Sequence, residues 1–99
     1  MLDRKFFLGF IRLHILHHAK SEPMFGLWMI NELKRHGYEV SPGTLYPILH
    51  NLEADGYLQS EQQNINGKIR KYYSITKNGE KVLATGTKHA LELFKELME

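Results

Sequence analysis

The chain has 99 residues, of which 42% are hydrophobic and 24% are charged, and its formal net charge is +2. This length and composition indicate one domain with its own core and exclude disordered and fibrous classes. The absence of cysteine excludes a disulfide scaffold and a cysteine-based metal or redox site. An apolar run at residues 6–11 stops at Arg12, too short for a signal peptide or a membrane span. We therefore expect a cytoplasmic protein.

The first predicted helix begins at an N-cap, Asp3, and ends at about residue 19. It is apolar on more than one side: Phe6 and Phe10 share one side, and Ile11 and Ile15 lie on another. A helix buried on one side of a small domain shows a single apolar stripe. We therefore expect a second subunit to cover the other side.

A break at residues 21–23 precedes a second helix over about residues 25–36, which Gly37 ends as a C-cap. We expect its inward side chains to be Leu27, Ile30 and Leu33. The third helix begins at Ser41 and Pro42, because a capping residue followed by proline is typical of a helix start. It stops at Gly56, and its inward stripe is Leu45, Ile48, Leu49 and Leu52.

Residues 57–65 and 68–75 then predict two strands joined by the dipeptide Asn66-Gly67, which is typical of a tight hairpin. Alternation along the second strand places Ile69, Tyr73 and Ile75 on one face, and Lys68, Arg70 and Tyr72 on the other.

Thr76 can cap a last helix over about residues 77–98. At its predicted length of roughly 33 Å, this helix is longer than so small a domain can cover. We expect its far end to pack against a partner.

Three helices followed by a hairpin are the order of a winged helix-turn-helix. The sequence therefore predicts a mainly α fold with a small β-hairpin: a DNA-binding domain over residues 1–76 and a C-terminal dimerisation helix over residues 77–99. The third helix would enter the major groove with small, polar or flat groups outward. These groups are Gly43, Thr44, Tyr46, Pro47, His50 and Asn51.

The segment from the hairpin turn to the start of the last helix is basic: residues 67–81 carry five Lys or Arg against one Glu. Such a patch can hold phosphates of double-stranded DNA, and its expected contacts are Lys68, Arg70, Lys71 and Tyr72. Lys71 falls on the apolar face of its strand, so Arg70 is the better candidate. An ordinary solvated surface is the alternative.

Three segments resemble the PadR-like family of transcriptional regulators: EPMFG at residues 22–26, GTLYPILHNLEADGYL at 43–58 and GKIRKYYSITKNG at 67–79. The resemblance covers about residues 22–79. It implies a bacterial or archaeal winged-helix repressor that binds DNA as a homodimer, for which we expect a palindromic operator. In this sequence, Lys68 and Ile69 replace the usual Arg-Pro of the family's wing, and the basic residue often found near Asn51 is missing.

The resemblance also implies that the C-terminal helix packs on the partner's first helix. The expected interface residues are Phe6, Phe7, Phe10, Leu83, Ala90, Leu91, Phe94, Leu97 and Met98. Related regulators bind planar or phenolic compounds in this region. A small aromatic effector could therefore bind among Trp28, Phe6, Phe7, Phe10, Phe94 and Met98, although plain core and dimer packing explains these residues as well.

Two alternative functions remain open. His14, His17 and His18 have helical spacing that could hold zinc or nickel in a metal-responsive sensor. Neither a cysteine nor a close carboxylate joins them, and histidines are also favoured at a helix C-terminus, so we assign no metal and no cofactor. A winged-helix protein-interaction module without DNA binding is the other alternative, since residues 36–66 contain neither Lys nor Arg.

An enzyme is not expected. The only aspartates are Asp3 and Asp55, and Ser41 is better used as a helix cap than as a nucleophile. The sequence shows no Ser/His/Asp arrangement, phosphate-cradling glycine loop or HExxH motif.

Overall fold

The computed structural model describes residues 3–99. Four helices surround a small antiparallel sheet, so the predicted fold class, mainly α with a hairpin wing, is confirmed. In chain order the elements are α1 (Arg4–Ser21), β1 (Met24–Phe25), α2 (Gly26–Arg35), α3 (Pro42–Ala54), β2 (Leu58–Ile65), β3 (Lys68–Ile75) and α4 (Lys77–Leu97). Among the described residues, no helix combines the length and apolar character needed to cross a membrane.

Three of the predicted helix-end signals act as expected, whereas the Ser41 side chain at the start of α3 makes no capping hydrogen bond. The Asp3 carboxylate accepts a hydrogen bond from the Phe6 amide at 3.2 Å and so caps α1. Gly37 adopts φ +93° after α2, a left-handed conformation that glycine takes without steric cost. The Thr76 hydroxyl accepts from the Gly79 amide at 3.0 Å and caps α4.

The sheet has the order β1-β3-β2. Asn66 and Gly67 both have positive φ, 53° and 82°, as the predicted tight turn requires. The short strand β1 was not expected from the sequence. Met24 pairs with Tyr73, so α2 begins at Gly26 rather than at residue 25. Two residues are too short to show a period, which explains why β1 left no signal.

One hydrophobic core joins all four helices and the sheet, and α1 contributes more buried residues to it than any other element. The fully or nearly buried apolar residues are Ile11, Ile15, Leu16, Ala19, Met24, Met29, Leu33, Val40, Leu45, Leu49, Leu52, Leu58 and Tyr73.

One predicted inward position is wrong, and one residue on the apolar face of β3 is exposed. Leu27 is 57% exposed, because the inward stripe of α2 runs through Gly26, Met29 and Leu33, one residue out of phase with Leu27. Ile69 is 69% exposed. It shares a strand face with Tyr73 but lies beside the hairpin turn, where the surrounding residues 61–69 are all exposed.

The middle of α4 packs on α1 of the same chain. Gly86 lies so close to Leu13 that a Cβ atom at position 86 would be 2.5 Å from Leu13 Cδ2. Val82 and Leu83, one turn earlier, pack against the core, whereas the second half of α4 leaves Leu97 72% exposed. The long last helix that the sequence predicts is therefore present. The chain measures 53 × 33 × 20 Å along its principal axes.

Candidate nucleic-acid interface

The outward side of α3 carries the residues that were expected to contact DNA. Leu45, Leu49 and Leu52 anchor the helix in the core. Because these positions form one helical stripe, the other side faces solvent. Its exposed residues are Gly43, Tyr46, Pro47, His50 and Asn51, and Thr44 is half-buried beside them.

The N-terminal end of α3 receives a cation that the sequence did not reveal. The Arg4 guanidinium, on the first turn of α1, donates to the Thr44 hydroxyl, and Ser41 Oγ lies 3.3 Å from the same oxygen. Lys34 lines the adjoining open cleft of about 600 Å³ together with Arg4 and Glu39. Positive charge from α1 and α2 therefore lies beside the N-terminal end of a helix that has no Lys or Arg of its own.

Tyr46 is held in place by α2. Its ring lies against Gly26, where a Cβ atom would be 2.5 Å from the hydroxyl oxygen and 2.7 Å from two ring carbons. Tyr46 nevertheless remains 39% exposed. One part of this side chain therefore sets the distance between α2 and α3, and the other part stays on the outward surface.

Glu53 connects α3 to both strands of the hairpin. The Ser60 hydroxyl on β2 donates to Glu53 Oε2 at 2.6 Å, and Lys71 Nζ on β3 lies 3.8 Å from Glu53 Oε1. At the same end of α3, Arg12 forms an ion pair of 3.5 Å with Asp55. The acidic end of α3 is therefore paired within the chain.

The predicted wing residues divide between the two faces of the sheet. Lys71 lies on the face that meets α3, as its ion pair with Glu53 shows. Arg70 lies on the opposite face, with its guanidinium carbon 4.4 Å from the centre of the Phe25 ring. The Tyr72 ring meets the same Phe25 edge-on at 5.5 Å, and Lys68 is exposed beside the turn.

Most residues expected at a subunit interface form an exposed apolar strip along α1 and the end of α4. Phe6 is 73% exposed, and the other exposed members are Phe10, Leu91, Phe94, Leu97 and Met98. Ala90 is half-buried at the margin of this strip. Phe7 and Leu83 are also half-buried, because Phe7 packs edge-on against Tyr38 and Leu83 packs on the core.

Three of the six residues considered for an effector line two separate clefts of the chain, and Phe7, Phe94 and Met98 line neither of them. Phe6 and Phe10 line an open cleft of about 270 Å³ between α1 and α4. Trp28 lines a smaller cleft of about 170 Å³ together with Phe25 and Tyr72.

Three histidines lie close together, but they are not the three that the sequence predicts. His14 and His18 meet His36 from the end of α2, whereas His17 is exposed and lies outside the group. The expectation that no carboxylate is close is wrong, because Glu32 contacts His18 and His36. Folding brings residues 32 and 36 to this site, and helical spacing within α1 could not show that.

Burial and neighbouring charge set the ionisation of this group. Burial lowers the pKa of His14 and of His18 below the ordinary histidine value, and the neighbouring His36 lowers that of His14 further. Hydrogen bonds from the Arg35 guanidinium lower the pKa of Glu32 to about 2. At neutral pH the Glu32 carboxylate is therefore charged.

Comparison with known proteins places this architecture among transcriptional regulators. Residues 15–85 match the Transcriptional regulator PadR-like family. The chain is 48% identical over 95 residues to the transcriptional regulator Rv3488 of Mycobacterium tuberculosis, a match that covers 96% of this chain and 89% of that protein.

Solved structures of regulators from the same family have a similar fold. A PadR family transcriptional regulator from Eggerthella lenta is 33% identical, with a TM-score of 0.77 over 96% of this chain and 87% of the other. A PadR-like transcriptional regulator from Bacillus cereus superposes with a TM-score of 0.86 at 24% identity, over 94% and 92% of the two chains, which supports the likeness of fold.

Proposed function

Because the chain belongs to the PadR-like family of transcriptional regulators, we propose that it binds double-stranded DNA as a homodimer and represses transcription. It is a transcriptional regulator and not an enzyme. The observation that carries the DNA-binding proposal is the outward side of α3, which is free of core contacts and flanked by cations at its N-terminal end.

In this proposal the outward side of α3, from Gly43 to Asn51, enters the major groove. Recognition helices usually contact base edges through their N-terminal residues. Thr44, His50 and Asn51 supply hydrogen-bonding groups for base edges, and Asn pairs well with adenine. Gly43 and Pro47 are small or flat, which lets the helix backbone approach the groove closely. Tyr46 contributes its exposed edge to the same surface.

Phosphate contacts would surround this helix on two sides. On one side the wing offers Lys68, Arg70, Lys71 and Tyr72; on the other, Arg4 lies beside Thr44. Such contacts give affinity and register, whereas base contacts give sequence preference. Arg4 compensates in part for the missing basic residue on α3.

The exposed apolar strip supports the homodimer. A monomer rarely leaves so many large apolar side chains exposed along two adjacent helices. We propose that two copies join through this strip, with each C-terminal helix, residues 77–99, packed on the partner's first helix. Two α3 helices would then read the half-sites of a palindrome, spaced about one helical turn, roughly 34 Å, apart.

We extend the proposal to an effector. The cleft between α1 and α4 borders the strip and is lined by Phe6 and Phe10, so a second subunit would enlarge and close it. A small aromatic compound bound there would contact both subunits and shift the spacing of the two α3 helices, which would release the DNA.

The test measures binding of the full chain to DNA from upstream of its own gene. Fluorescence anisotropy gives the affinity at each of a series of salt concentrations. We expect specific binding that weakens steeply as salt rises, because phosphate contacts release counterions. The competitor is random duplex of equal length. Equal affinity for both duplexes, or no affinity for either, would contradict the proposal and favour a protein-interaction module.

A further inference from the structure

Three imidazoles converge where α1 passes the C-terminal end of α2. His14 and His18 lie one turn apart on α1, and His36 follows the last residue of α2. One ring nitrogen from each lies within 4.8 Å of the other two. The His14 and His36 rings stack at 4.7 Å between centres.

This spacing is close to that of a metal site. Zinc binds histidine nitrogen at 2.0–2.1 Å in tetrahedral geometry, so two such ligand atoms lie about 3.3 Å apart. The imidazoles would therefore need to approach by about 1.5 Å at most, which small side-chain rotations can supply. The His14 and His18 backbones need not move, because both belong to one continuous helix.

Glu32 supplies the carboxylate that such sites commonly contain. Its Oε2 lies 2.9 Å from His36 Nε2 and 3.3 Å from His18 Nε2, and its side chain is largely buried. His18 Nε2 is shielded from solvent and has no well-formed hydrogen bond among residues 3–99. An orphaned ring nitrogen beside a carboxylate is a group that a metal ion would satisfy.

The Arg35 guanidinium places a cation at this site, but its side chain can move away. Its Nη2 contacts Glu32 at 2.8 Å and lies 3.4 Å from His36 Nε2. Its side chain is 68% exposed, however, so the guanidinium can turn into solvent when a metal cation enters. The Glu32 carboxylate would then bind the metal ion in place of the Arg35 guanidinium.

We propose that His14, His18 and His36 bind one divalent transition-metal ion of the zinc type, with Glu32 as fourth ligand. Imidazole donors suit zinc, nickel, cobalt and copper, whereas magnesium and calcium take oxygen ligands. The ion would fasten α1, which carries the exposed apolar strip, to α2, the helix before α3. The inference concerns metal binding alone and does not depend on DNA binding.

The experiment uses the full chain without a histidine tag, treated with a chelator and then titrated with Zn²⁺ by calorimetry and with Co²⁺ by absorption spectroscopy. We expect one ion per chain and the visible Co²⁺ bands of a four-coordinate site. Bound Zn²⁺ should also raise the melting temperature, because it binds the folded state. No stoichiometric binding of either ion would overturn the proposal.

Variants locate the site. His36→Gln and His14→Gln should abolish stoichiometric binding, whereas His17→Gln, on the same helix but outside the group, should bind as wild type does. Glu32→Gln should lower affinity about 10- to 100-fold. Circular dichroism without metal confirms that each variant is folded. Equal binding by His36→Gln and wild type, or loss of binding in His17→Gln, would place the metal elsewhere and overturn the assignment.

Discussion

The ring of Tyr46 on α3 lies against the backbone of Gly26 at the start of α2. Only a residue without a side chain leaves room for it, so these two residues together set how closely the two helices approach. Position 26 thus influences the proposed DNA surface without belonging to it.

Gly26→Ala should lower the free energy of unfolding by about 1–3 kcal/mol, because the added methyl group overpacks the contact with Tyr46. Chemical denaturation measures the change. Gly43→Ala is the control, since its Cβ would meet only Ser41 Oγ, at an ordinary 3.8 Å. Combining Gly26→Ala with Tyr46→Ala should recover part of the loss, and a purely additive double variant would contradict the contact.

Arg4→Ala should weaken binding to all DNA sequences alike and reduce the salt slope by about one unit, because it removes one phosphate contact beside Thr44. Anisotropy titrations at several salt concentrations measure the slope. Lys20→Ala is a matched control at the opposite, C-terminal end of α1. Equal salt slopes for Arg4→Ala and wild type would remove Arg4 from the interface.

Arg70→Ala should likewise reduce affinity for every sequence and lower the salt slope by about one unit. Arg70 lies over Phe25, on the sheet face away from α3. The Arg70→Ala variant therefore tests whether that face of the wing contacts DNA. Lys88→Ala on α4 controls for net charge. If Lys71→Ala lowers the slope while Arg70→Ala does not, the wing contacts DNA through the face that meets α3.

His50→Ala should change the preference between operator sequences by about 1–3 kcal/mol at one base pair, with little effect on non-specific binding, because its exposed side chain is proposed to contact a base edge. Competition among duplexes that differ at single positions measures this preference. A uniform loss across all duplexes would instead make His50 a phosphate contact.

Phe94→Glu should convert the protein from a dimer to a monomer of 11.6 kDa, because it places a charge in the middle of the exposed apolar strip. Light scattering coupled to gel filtration measures the mass. Leu27→Glu is the matched control, since Leu27 is equally exposed but lies on α2. A wild-type chain that is already monomeric would contradict the dimer.

Local signals made the secondary structure predictable. Asp3, Gly37 and Thr76 act on their own neighbours in the chain, and the Asn66-Gly67 turn aligns two strands that are adjacent in sequence. What could not be predicted depends on distant partners. Strand β1 exists only because Met24 pairs with Tyr73, about fifty residues later.

In the candidate sites, too, local patterns could be predicted and contacts between distant residues could not. Helical periodicity placed His50 and Asn51 on the outward side of α3, where the structure has them. Arg4 reaches Thr44 across forty residues of chain, and His36 joins His14 only after α2 folds against α1. Neither contact has a counterpart in local spacing, because each depends on how the helices pack.

The connection that Glu53 makes to both strands constrains the choice of target site. Because Ser60 and Lys71 both contact this carboxylate, the position of the hairpin is coupled to that of α3. In the proposed complex, the protein then sets the distance between the base contacts of α3 and the phosphate contacts of the wing. We expect operators to differ in base sequence more than in that distance.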